Sequence, residues 1–171
     1  MNFAMKVMAV AIMGFSLNAM AVQKDITINA NVDPSLDMTL SDAQPLPTSV
    51  TMQYIPGNGL APYTMQTKIW SNAYKDVNIK LANDVLLYDR AGTSNSVAIT
   101  VSYGGSALTT TDRLMKASTL FPGGSTAISN GSIEQELKFT QGPLTPPATA
   151  IAAGNYTGVV GIVLTQATTS A

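Results

Sequence analysis

The chain has 171 residues, enough for one domain with a packed core, and contains neither cysteine nor histidine. That excludes disulfide staples, thiol nucleophiles and thiolate metal sites. It also removes the usual general base at neutral pH and the commonest transition-metal ligand. With 9 basic and 10 acidic residues, a net charge of −1 and 11% charged residues, there is no basic surplus to neutralise phosphates, so nucleic acid is not an expected partner.

The first element in chain order is a leader. Lys6 supplies a positive start, Val7 to Leu17 is an almost unbroken apolar run, and Ala19-Met20-Ala21 is a small-x-small cleavage site. A membrane span would need about 20 apolar residues, and Asn18, Gln23, Lys24 and Asp25 end the run too early. The expected division is a cleaved signal peptide over 1–21, an N-terminal strand over 22–33 and one domain over 34–171. An exported chain without cysteine fits a bacterial product better than an animal extracellular one.

The rest reads as all-β. Ile26, Ile28, Ala30 and Val32 share one parity, with Thr27, Asn29 and Asn31 between them. Leu36, Met38 and Leu40 follow, then Val50, Met52 and Tyr54, stopped by Pro56-Gly57-Asn58-Gly59. Tyr63, Met65 and Ile69 point one way, with Gln66, Lys68 and Trp70 opposite. Val77, Ile79 and Leu81 alternate with Asn78 and Lys80; Val97, Ile99, Val101 and Tyr103 alternate with small and polar residues. A single helical turn is expected within Asp112 to Ser118, and Gly123-Gly124 and Asn130-Gly131 mark turns. Ile133, Leu137 and Phe139 alternate with Glu134, Glu136 and Lys138. Each alternation is the period of a strand with one buried face. About seven such strands indicate an Ig-like sandwich.

The last strand, Tyr156 to Thr165, is apolar on both parities: Tyr156, Val160, Ile162 and Leu164 on one, Val159 and Val163 on the other. Such a strand is normally sandwiched inside a sheet. In a complete Ig-like sandwich a further strand would pair beside it, and only Gln166 to Ala171 follow. The expected fold is therefore an incomplete Ig-like sandwich lacking its last strand, with an N-terminal donor-strand extension. A strand at one end and a missing neighbour at the other imply head-to-tail polymerisation by strand addition, a heterologous contact that does not close.

Three segments carry a resemblance. Val22 to Pro34, Ser102 to Thr111 and Ala153 to Val160 resemble the matching blocks of major pilins of the alpha (class 5) chaperone–usher fimbriae, the colonisation-factor pili of enteric bacteria. Agreement is looser over 84–95 and 115–130. The resemblance implies export through the periplasm to an extracellular fimbrium that attaches to host surfaces. A periplasmic chaperone would fill the groove, an outer-membrane usher would receive the subunit, and the N-terminal strand of the next copy would replace the chaperone strand. A minor tip adhesin would carry most receptor binding. The donor residues so implied are Ile26, Ile28, Ala30 and Val32, and the acceptor groove edge is Tyr156, Val160, Ile162 and Leu164.

Other readings stand beside this one. Ile26 to Val32 could be an ordinary first strand of its own domain. Pro34 ends that strand and, as a subunit hinge, fixes the angle between arm and body. Trp70, outward by parity, is a candidate subunit contact. A lectin-like adhesin that binds host glycans directly is the alternative function, although 150 mature residues leave no room for a separate binding domain. The acids are scattered, with no calcium-loop spacing and no acid–base pair, so no catalytic, metal or cofactor site is expected.

Overall fold

The computed structural model describes residues 35–90, 96–144 and 150–168, all within one compact unit, Asp33–Ala171. The leader, the donor residues Ile26, Ile28, Ala30 and Val32, and Pro34 lie outside the described residues.

In chain order the strands are β1 (Leu36–Leu40), β2 (Tyr54–Ile55), β3 (Gly59–Leu60), β4 (Tyr63–Ser71), β5 (Val77–Leu81), β6 (Val85–Asp89), β7 (Ser96–Tyr103), β8 (Ser106–Ala107), β9 (Arg113–Met115), β10 (Gln135–Gln141), β11 (Tyr156–Thr157) and β12 (Ile162–Gln166). One helical turn, α1 (Ala117–Leu120), and a 3₁₀ segment, Gly124–Asn130, lie between β9 and β10. The large sheet runs β1-β4-β10-β7-β6-β11, with β8 attached to β7. The small sheet runs β12-β5-β9, and β2 and β3 form a separate hairpin. Every pairing is antiparallel. This is the expected all-β, Ig-like arrangement.

Alternation builds the core. Ile69, Val101, Tyr103, Leu137 and Phe139 of the large sheet are buried together with Val77, Ile79 and Leu81 of the small sheet, and Leu120 and Phe121 belong to the same cluster. Tyr103 carries a polar atom into it. Its hydroxyl lies near Thr67 but has no hydrogen-bond partner among the described residues, and Thr67 Oγ1 donates to the Gln135 carbonyl at 3.0 Å. Loss of hydration pushes the phenol up to about 12. Arg113 ties this region down by donating to the Tyr103 and Ser106 carbonyls, so it serves the fold.

The structure corrects four sequence expectations and adds one strand. Val50 to Tyr54 is not a full strand: pairing starts only at Tyr54, in the β2–β3 hairpin. β6 went unread because its sequence, Val-Leu-Leu-Tyr-Asp, is apolar on both parities and hides the period of two. Arg113–Met115 is a strand, and the helical turn begins later, at Ala117. Ile133 lies ahead of β10, outside its alternation, and is 40% exposed, with its N–H donating to the Leu120 carbonyl. Finally, Tyr156 to Thr165 is not one strand. β11 pairs with β6 in the large sheet, β12 pairs with β5 in the small sheet, and residues 158–161 cross between them.

The start of α1 depends on one buried carboxylate. Asp76, 1% exposed, accepts from Lys116 Nζ at 2.8 Å and from the Ala117 N–H at 2.8 Å. The Lys116 hydrogen bond first, then the Ala117 N–H, hold it below the ordinary carboxylate value of 3.8. A depressed folded-state value means that this contribution is complete above 3.8 and fades as pH falls through the lower folded value. Asp76→Asn is therefore expected to lower the melting temperature at neutral pH. The gap from the wild type should shrink in acid below 3.8, as read by thermal melts across pH.

Candidate functional site

The inward residues of four strands meet under one groove. Met65 of β4, Leu137 and Phe139 of β10, Ile99 of β7, and Val85 and Leu87 of β6 form the floor of a groove of about 1280 Å³. One wall is the segment 46–52 and the other is the C-terminal segment, 151–160 with Ile162. Apolar side chains that line the groove face water: Val159 is 88% exposed, Tyr54 48% and Val50 38%. Such exposure is unfavourable at about 25 cal/mol per Å², so the groove suits an apolar occupant.

The walls offer backbone as well as side chains. Among the described residues, no hydrogen bond involves 46–52 or 158–160, although Gln53 O accepts from the Ala61 N–H and Gly161 O from the Ala82 N–H. Two facing stretches of such backbone are a template for an added strand.

The C-terminal wall is shaped by glycine. A Cβ at Gly158 would run into the Leu86 carbonyl and lie 2.8 Å from Leu87 Cδ2, and one at Gly161 would lie 2.9 Å from the Ala82 side chain. The chain can press against β6 and change sheets here because these positions carry no side chain.

The groove has a direction. At one end, Tyr156 pairs with Asp89, and the Arg90 N–H donates to the Asn155 carbonyl; this is the mouth. At the other end the domain's own chain begins. Ser35 N–H donates to Asn72 Oδ1 at 2.9 Å, Leu36 pairs with Ser71, and Gln166 Nε2 donates to Ser71 Oγ at 3.3 Å.

Of the residues named for the groove edge, Tyr156, Val160 and Ile162 line it. Leu164 packs against the core beyond the groove. Trp70 sits on the outer side of β4, where its Nε1–H donates to Thr39 Oγ1 at 2.8 Å and its ring lies against Gly131. It braces β1 and the turn before β10. The floor residues and the wall at 46–52 were not assigned to the site by sequence. The one signal there, the alternation of Val50, Met52 and Tyr54, pointed to an ordinary strand.

Two antiparallel sheets with an open apolar trough between their edges are the architecture of a fimbrial subunit of the Ig-like kind. A solved structure of the CooA pilin subunit from enterotoxigenic Escherichia coli shares it, with a TM-score of 0.67 and 27% identity over 78% of this chain and 88% of that one. A chain of a chaperone–tip adhesin complex of CFA/I fimbriae is similar in fold alone, at 12% identity and a TM-score of 0.51, over 80% of this chain and 44% of that one. Residues 22–165 match the family of CS1 type fimbrial major subunits. The chain is 38% identical to a CFA/I fimbrial subunit of E. coli over 92% of its length and 93% of the relative's. It is 31% identical to a CS1 fimbrial subunit of E. coli, over 94% and 95%. The chain belongs to the CS1 type fimbrial major subunit family. It is a structural pilin, exported through the periplasm into a surface fimbrium.

Proposed function

We propose that the subunit polymerises by laying residues 22–33 of one copy into the groove of the next, with Ile26, Ile28, Ala30 and Val32 on the floor side. The observation that carries this is the groove itself: an apolar floor between two walls whose backbone is open to a strand. The family match starts at residue 22, where the expected leader ends, which supports a leader over 1–21 ahead of the proposed arm, 22–33, and body, 34–171.

The geometry favours one direction. An arm running antiparallel to 156–162 brings the donor's body to the mouth, away from the end where the acceptor's own chain leaves at Ser35. A parallel arm would crowd both bodies at that end. In the antiparallel arrangement every copy offers a mouth at one end and an arm at the other, and the contact repeats into a fibre. Pro34 then sits at the joint between arm and body, and Trp70 remains a candidate contact between bodies.

The same reading supplies the partners: a periplasmic chaperone that occupies the groove before assembly, an outer-membrane usher, and a minor tip adhesin. It also makes the chain non-catalytic, in keeping with a sequence that lacks histidine and cysteine. No observation favours the lectin-like alternative.

Electron microscopy of a deletion strain tests the role. Loss of all fibres is expected. Intact shafts that lack only receptor binding would instead identify an adhesin.

A further inference from the structure

The outer face of the groove's edge carries apolar side chains that a strand laid in the groove would leave uncovered. On β6, Val85 and Leu87 point into the groove, so Leu86 and Tyr88 point away from it. Tyr88 is 58% exposed, and beside it Thr157, Gly158 and Val159 close a hollow of about 380 Å³ with Asp84 and Leu86. We propose that this patch seats the body of the copy whose arm fills the groove, so that neighbouring copies meet at two places, arm in groove and body on patch. The inference rests on the strand-donation reading above.

Three observations name a second copy as the occupant. Thr157, Gly158 and Val159 line both the groove and the outer hollow, so whatever fills the groove abuts the patch. The patch lies at the mouth: Thr157 pairs with Tyr88, one residue from the Tyr156–Asp89 pair. The third is reach. An antiparallel arm leaves at the mouth, and from Val32 to Ser35 the chain advances only three residues, about 10 Å when extended. The donor's body is therefore tethered beside Tyr88.

The chemistry agrees. The hollow has one charged group, Asp84, and without Lys6 of the leader each copy has 8 basic and 10 acidic residues, a net charge of −2, so two copies meet there with little repulsion. A single arm through a proline joint leaves rotation about the joint loosely set. A second, repeated heterologous contact sets one rotation per copy and gives a helical shaft.

The chain has no cysteine, so Tyr88→Cys introduces a unique thiol. Its maleimide labelling rate would be compared in assembled fibres and in the same protein blocked by Ile28→Asp. Labelling in fibres is expected to be slower by roughly tenfold or more, because an interface core packs like a protein interior. Equal rates would overturn the seat. In parallel, Tyr88→Asp should still yield linked copies but lose regular helical order by electron microscopy, while Tyr88→Phe keeps it. Wild-type helical order with Tyr88→Asp would overturn the proposal. So would complete loss of polymer, since that would place Tyr88 in the arm's own site. The parent reading fails separately, if Ile28→Asp alone still builds fibres.

Discussion

Ile28→Asp in the middle of the arm should abolish fibre formation while the protein still accumulates with its periplasmic chaperone. Ile26, Ile28 and Val32 would each gain about 1.5–3 kcal/mol on full burial, an upper estimate because the free arm already hides part of its surface. Paired backbone along both walls adds to that. The sum approaches the whole marginal stability of a typical domain, about 5–15 kcal/mol. An aspartate at the central position removes one of the three contributions and adds a carboxylate that the floor of Leu137, Phe139 and Ile99 offers no partner. Burying an unpaired charge costs several kcal/mol after relaxation, enough to cancel the rest. Slipping the arm does not rescue it, because a one-residue shift turns all four apolar side chains outward. Chaperone binding survives, since the chaperone fills the groove and leaves the arm free. Size-exclusion chromatography of the complex together with microscopy of the cells separates the two effects. Normal fibres from this variant would refute strand donation.

Gly158→Val should be the most damaging single change on the groove's own side. The new side chain would be driven into the Leu86 carbonyl, a backbone group of β6 that is held between β7 and β11, while the Leu87 side chain would have to turn further into the groove. Overpacking of this kind costs about 1–3 kcal/mol. Here it also lifts the C-terminal wall off β6 and widens the groove, so both subunit yield and polymerisation should fall. Val159→Thr, one residue on at a position 88% exposed in the single copy, should change the melting temperature of the unassembled subunit little, by the equivalent of about 0.5 kcal/mol or less. Similar melting of the two variants would show that the close approach at Gly158 is not needed.

The sequence carried the fold class because alternation is a local property. β1, β4, β5, β7 and β10 each show a period of two within a few residues, and their buried positions follow from it, Ile69, Val77, Ile79, Val101 and Leu137 among them. The outward parity of Trp70 was legible for the same reason. The two-sided apolar C-terminus was legible too, but its meaning was not. It reflects two short strands in different sheets, and the change is made where Gly158 and Gly161 allow close approach to β6 and Ala82.

Composition and patterning by themselves determined an exported, all-β chain with an alternating N-terminal segment and neither histidine nor cysteine. Only the tertiary structure decided where a strand can be received. The floor joins Met65, Val85, Ile99 and Leu137, which are far apart in sequence and meet only through the β4-β10-β7-β6 order of the large sheet. β6 shows the limit most clearly. With apolar residues on both parities it carries no local signal of which side is which, and its two faces are told apart only by what packs on them, the groove on one side and water at Tyr88 on the other. Strand order and facing are set by contacts between distant residues, and no local period encodes them.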